Sequence, residues 1–266
     1  MIVNCFPLKE ALLCAACTLM LFACRKNVST EQPATPSDEA LSKIYALGFS
    51  NKNVTLDEDG NYIVEGDIAL NEADLNAVPD VQFLRVGSAE QYRTYNLVTR
   101  LPRVITVSIA SKLPSSYVAA LDEGLARYNA EKLRITFKRV NARADIAIVK
   151  ASGNYLASSG FPTSGNPYNQ VKVNSSAIGS QPQATVATIL AHEIGHCIGF
   201  RHTDYMDRSY SCNGQVVNEG ASTIGAVLIP GTNPNPDPNS FMLSCIGSGD
   251  NRPFNANDVT ALKYLY

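Results

Sequence analysis

Ionic side chains are few and balanced in this chain. Of 266 residues, 22 are Lys or Arg and 24 are Asp or Glu, which leaves a formal charge of −2. That balance supplies no field for a polyanion, so no nucleic-acid partner is expected. An apolar run long enough to cross a bilayer is also missing: the run at residues 11–23 is too short. No internal repeat and no heptad pattern occurs, which excludes solenoid and coiled-coil architectures. Histidine is the scarcest chemistry-bearing residue, with three in the whole chain. What is abundant is ordinary: 45% of residues are hydrophobic, enough for one sizeable core or for a core plus a smaller domain. A monomer is expected.

The first residues read MIVNCFPLKEALLCAACTLMLFAC, and polar RKNVSTEQPATPSDE follows at once. Lys9 and Glu10 before a short apolar run suit a signal peptide over residues 1–23. LFAC resembles the lipobox of bacterial lipoproteins, which implies that Cys24 carries lipid as the first mature residue. Arg25 after it does not resemble the Asp that retains lipoproteins at the inner membrane, so an outer-membrane address is expected, facing either side. Residues 24–37 form a polar tether. Loss of detergent partitioning in Cys24→Ser checks the anchor; unchanged partitioning refutes it.

Export leaves Cys197, Cys212 and Cys245 in an oxidising compartment, where three cysteines allow one bridge and one free thiol. Cys212 and Cys245 sit in loop-like sequence and are the first choice for the pair. A bridge from Cys197 to Cys245 stays open.

Local patterns divide the rest. Residues 38–98 read as a small α/β leading domain or prosegment: a helix at DEALSKIYALGF, a strand-like GNYIVEGDIAL and a short helix at NEADLNAVP. From residue 101 onward a strand at RVITVSIA precedes a helix with Tyr117, Leu121, Leu125 and Tyr128 at helical spacing. Strands follow at RITFKRV and ADIAIVKA. Residues 152–170, rich in Gly, Ser, Asn and Pro, read as a long surface loop. It carries no Asp or Glu, so a structural calcium ion there has only weak support. VKVNSSAI reads as a short strand, and residues 183–199 as the next helix. Residues 203–240 have weak periodicity. The last helix is NANDVTALKYLY, capped by Asn255 or Asn257.

All three histidines fall within ILAHEIGHCIGFRHTDY. His192 and His196 are one helical turn apart and share a face. Gly199 permits a positive φ, so the chain can leave the helix and bring His202 back toward them. Three neutral imidazoles suit zinc and leave a fourth position for water. Zinc-bound water loses its proton near neutral pH, and Glu193 can take that proton and pass it to a leaving amine. A structural zinc site would need a fourth protein ligand, which Glu193 is badly placed to provide.

The pattern HExxHxxGxxH is similar to the signature of the metzincin zinc endopeptidases, and HEIGHCIGFRHTD resembles the HEIGH-type metallopeptidases of Bacteroidetes lipoproteins. The resemblance covers residues 101–266. It implies an α+β, metzincin-like fold with a mixed twisted sheet, a zinc helix and a C-terminal helix. It also implies His192, His196 and His202 as zinc ligands, Glu193 as general base, and Met242 as the packing methionine beneath the metal. ADIAI at 144–148 resembles the family's cleft-edge strand, where an extended peptide substrate can pair. The transition-state tyrosine found after the methionine in some metzincins is absent; Tyr205 and Tyr210 are loose replacements.

Asp204 is expected either to bond a ligand imidazole or to anchor its turn. Arg201, Asp207 and Arg208 read as partners in surface salt links. No cysteine lies between Arg25 and residue 101 to block the zinc, so Asp67 in VEGDI is the candidate latch. The competing function is a non-catalytic, envelope-anchored binding protein that keeps a zincin fold for shape.

Overall fold

The computed structural model describes residues 35–76, 91–213, 218, 225–233 and 235–266. The leader, Cys24 and most of the tether lie outside them. Residues 35–266 form one compact unit, and no helix among the described residues is long and apolar enough to cross a membrane.

A sheet of eight strands carries the molecule, in the order β1 (Thr55–Leu56), β2 (Tyr62–Val64), β3 (Ile68–Leu70), β8 (Ala157–Ser159), β9 (Gln170–Val173), β7 (Ile146–Lys150), β5 (Arg103–Ile109) and β6 (Ile135–Arg139). Its four parallel strands are β5 (Arg103–Ile109), β6 (Ile135–Arg139), β7 (Ile146–Lys150) and β9 (Gln170–Val173). Their inward residues, among them Ile105, Val107, Ile135, Ile148 and Val171, are fully or almost fully buried. The β-branched side chains suit a pleated, packed surface. Two helices cover the core. In α3 (Ser116–Ala130), the face of Tyr117, Leu121, Leu125 and Tyr128 is buried. In α5 (Gln183–Ile198), every residue from Thr185 onward is buried. Gly124 lets the two helices approach, since a Cβ there would sit 3.2 Å from the Ala187 carbonyl. The Tyr128 hydroxyl donates to the Ala191 carbonyl at 2.8 Å. The C-terminal helix α7 (Ala256–Leu265) is capped by Asn255, whose own amide donates back to the Asp258 carboxylate.

The leading strands belong to the same sheet. β1 (Thr55–Leu56), β2 (Tyr62–Val64) and β3 (Ile68–Leu70) form an antiparallel meander, after the helix α1 (Asp38–Ala46) and before the short helix α2 (Glu72–Leu75). GNYIVEGDIAL is therefore a hairpin and not one strand, because Glu65 and Gly66 both take positive φ, 56° and 95°. β3 pairs in parallel with β8 (Ala157–Ser159). Two buried ion pairs bolt the hairpins to the rest: Lys172 to Asp57 at 2.8 Å, and Arg201 to Glu65 at 3.2 Å. Removing one partner of such a pair costs about 3–5 kcal/mol, since it strands a charge in a medium that solvates it poorly. Arg201 thus makes no surface salt link. Its side chain is fully buried, with Phe49, Phe161 and Tyr205 rings around the guanidinium.

Two further sequence expectations need correction. The loop at 152–170 contains β8, whose three residues are buried. Ala157, Ser158 and Ser159 have little intrinsic strand preference, so the strand exists through its partners β9 and β3. ADIAI is no cleft edge: β7 is hydrogen-bonded on both sides, to β9 and β5.

The remaining elements are α4 (Ser175–Ile178), α6 (Ser209–Cys212) and a small sheet of β4 (Tyr92–Arg93) with β10 (Val227–Leu228). Cys212 and Cys245 are bonded, and Cys197 is a buried free thiol. A bridge closing a span of 33 residues restricts the unfolded chain by about 3–4 kcal/mol.

Candidate metal centre

Helix α5 is apolar almost throughout, so it lies beneath the sheet with His192, Glu193 and His196 inside the protein. It ends where Gly199 adopts φ 111°, a left-handed cap that other residues reach only with strain. The Gly199 amide donates back to the His196 carbonyl, and the chain turns to carry His202 to the same place. Nε2 of His196 is 3.1 Å from Nε2 of His192 and 3.2 Å from Nε2 of His202.

The other ring nitrogens fix which atoms face the centre. Nδ1 of His192 lies 2.8 Å from the Phe241 carbonyl, and Nδ1 of His196 lies 2.8 Å from the Phe200 carbonyl. A carbonyl only accepts, so each Nδ1 carries the proton and each Nε2 presents a lone pair. Burial, together with the neighbouring His192 and His202 rings, holds His196 well below the ordinary histidine range. It is neutral at neutral pH, the form a metal requires.

Asp67, at the end of the β2–β3 turn, completes the cluster. Its Oδ2 is 3.2 Å from Nε2 of His202 and 3.6 Å from Nε2 of His192. Burial pushes this carboxyl up, but the facing His202 and His192 outweigh that and hold it well below the usual range. Its backbone is pinned as well, because the Ser159 amide donates to the Asp67 carbonyl at 2.9 Å.

The donor set fits zinc. All four donor atoms lie within 4.8 Å of one another. A tetrahedron with bonds of about 2.05 Å has edges of about 3.3 Å, close to the four shortest separations here. Three imidazoles and one carboxylate are borderline-soft and hard donors that zinc accepts.

Glu193 faces the same centre from α5. The Ser159 hydroxyl is 2.7 Å from Glu193 Oε2 and also 3.0 Å from the Glu193 carbonyl. Burial, and then the nearby Asp67 charge, push the Glu193 carboxyl well above the ordinary range. Ser159 was not legible in the sequence; nothing in SGNYLASSG marks one serine among three.

Support from below is dense. Met242 is fully buried, and a Cβ on Gly195 would meet its sulfur at 2.6 Å, so the glycine is what lets the helix rest on the methionine. Asp204 anchors the turn and not an imidazole: Oδ1 accepts from the Ser244 amide at 2.9 Å and from its hydroxyl at 2.8 Å, and Oδ2 from Ser211. Asp258, in the first turn of the C-terminal helix, accepts from Gln91, Ser240 and the Phe241 amide. It thereby fixes the Phe241 peptide whose carbonyl holds His192. Burial pushes Asp258 up to about 7. The Tyr210 hydroxyl donates to the Pro236 carbonyl, and Tyr205 packs edge-on against Tyr92.

The protein-family model for Peptidase_M57, described as the dual-action HEIGH metallo-peptidases, matches residues 62–266. The chain belongs to that family. It is a zinc-dependent metalloendopeptidase, and its described residues assemble an Asp/His₃ metal cluster. Family membership and the assembled centre together set aside the reading as a non-catalytic binding protein.

No curated protein matches this chain. Among solved structures, one of myroilysin is 16% identical over 64% of this chain and 96% of that one, with TM-score 0.42. A second, of myroilysin, is 14% identical over 62% and 83%, with TM-score 0.39. High choriolytic enzyme 1, a hatching-enzyme zinc protease from the medaka Oryzias latipes, is 18% identical over 61% and 88%, with TM-score 0.34. These likenesses are too low to carry residue roles across.

Proposed function

We propose that the HEIGH peptidase holds its zinc through Nε2 of His192, His196 and His202, uses Glu193 as general base, and is kept latent by Asp67. The supporting observation is the convergence of four donor atoms from two distant parts of the chain, three from the zinc helix and its exit and one from the β2–β3 turn. Bound zinc supplies Lewis-acid polarisation of the scissile carbonyl and acidifies water.

The residues around it do the rest. Glu193 accepts a proton from the attacking water and returns it to the leaving amine. Ser159 holds the Glu193 carboxyl in place by a 2.7 Å contact. Phe241 and Phe200, through their carbonyls, keep both imidazoles in the tautomer that offers Nε2. An extended substrate pairs along the outer edge of β8, which β3 covers in this structure. Residues 38–98 then act as a prosegment: β3 holds the substrate edge while Asp67 takes the position that water needs. Cys24 anchors the protein as a lipoprotein, at the outer membrane.

Metal removal tests the assignment. Dialysis against a chelator is expected to abolish cleavage of a peptide library, and one equivalent of zinc to restore it. Full activity in a metal-free sample contradicts the mechanism.

A further inference from the structure

A cavity of about 230 Å³ opens directly beside His192 and Glu193. That is smaller than the roughly 300–1,000 Å³ of pockets that take whole small molecules, and it suits one side chain of a bound peptide. Its wall is apolar where Ile189, Leu243 and Ile246 line it, and two of its lining residues are cationic, Arg208 and Arg252. Among the described residues, the acidic ones lining it are Asp67 and Glu193, both at the metal end.

Arg252 is held in place by the protein. Its amide donates to Thr188 on the zinc helix at 3.1 Å, and Nη1 donates to the Cys245 carbonyl at 2.7 Å. Two carboxylates act on its charge: the buried Asp204, which makes no ion pair with Arg252, already accepts from Ser211 and Ser244, and Asp250 is 3.7 Å away, half exposed and accepts from the Gly247 amide. An exposed ion pair of that kind neutralises little. The Arg252 side chain itself is only 15% exposed. A mostly buried guanidinium whose one ion pair is long and half exposed, beside an apolar cavity, favours an entering carboxylate, which can accept two parallel N–H bonds.

We infer that this cavity takes an acidic side chain, so that the enzyme cleaves peptide bonds adjacent to Asp or Glu, with Arg252 as the specificity-determining residue. The inference rests on the endopeptidase reading given above. Arg208 lies on the Gly66 side of the cavity, where a Cβ on Gly66 would be 3.1 Å from its Nη2. It adds positive charge at the rim and is covered by the β2–β3 turn in this structure. Lysine and arginine side chains are disfavoured by both cations.

The experiment uses the zinc-loaded, full-length chain and its Asp67→Ala variant on a peptide library, followed by matched peptides with Glu, Gln or Lys at the selected position. Acidic residues are expected beside the cleaved bond, with kcat/KM for Glu exceeding that for Gln by about ten- to a hundred-fold, the worth of a charged hydrogen bond. Arg252→Leu is expected to lower the Glu/Gln ratio at least about ten-fold, Arg252→Lys to retain part of it, and Arg252→Glu to turn preference toward Lys. Zinc content and Tm identify any variant that fails to fold; the wild-type ratio and Arg252→Lys then decide. Cleavage without acidic preference, or a preference unmoved in folded Arg252→Leu, overturns this inference and leaves the peptidase standing. No cleavage of any peptide by the zinc-bound chains overturns the reading beneath it.

Discussion

Glu193→Ala is expected to lower kcat/KM for peptide cleavage by about 10²–10⁴-fold while zinc binding stays stoichiometric. General acid–base catalysis contributes a factor of this size, and this glutamate is not among the donor atoms of the metal cluster. Glu193→Gln, which keeps the shape and the contact to Ser159, is expected to lose nearly as much. Removing the proton acceptor is then separated from disturbing a buried polar site. The readout is steady-state cleavage of a fluorogenic peptide beside zinc content by mass spectrometry. Cleavage by either variant at the wild-type rate removes Glu193 from the mechanism. Loss of zinc together with activity assigns it a structural role.

Asp67→Ala carries the second large effect, in the opposite direction. In the full-length chain the Asp67 carboxylate lies against Nε2 of both His192 and His202. Its removal frees one coordination position and one of the ties that hold the β2–β3 turn in the cleft. If the latched form holds 99% of the molecules, unlatching raises activity up to about a hundred-fold; a rise above about ten-fold is expected. The Ser159 amide bond to the Asp67 carbonyl and the Arg201–Glu65 pair are untouched by the substitution, and they limit the gain. Unchanged or reduced cleavage by a folded, zinc-bound Asp67→Ala chain removes the latch. Since one chain is predicted to lose activity and the other to gain it, a general destabilisation of the site cannot imitate both results.

The metal centre was legible in the sequence because it is local. Two histidines at one-turn spacing, a glycine at the helix exit and a third histidine soon after need no knowledge of the fold to be placed together. The parallel strands and the core helix were legible for the same reason: their apolar periodicity is written in consecutive residues. What was misread depends on partners far along the chain. Arg201 sits in a polar stretch, and its burial follows from Glu65, 136 positions earlier. β8 has three small residues with no strand pattern, and becomes a strand only between β3 and β9. Asp67 was a guess from sequence because its histidine partner is 135 positions away. Ser159, which holds Glu193, was invisible on the same account. The cleft edge was placed at ADIAI through its resemblance to the family's edge strand, although the segment is a strand buried between two neighbours.

The most direct measurement is a crystal structure of the zinc-loaded full-length protein with anomalous data collected on both sides of the zinc edge. The account predicts a single peak about 2.0–2.1 Å from Nε2 of His192, His196 and His202, with an Asp67 oxygen as the fourth neighbour. Zinc lodged elsewhere, or a His202 ring turned away from an occupied site, contradicts it.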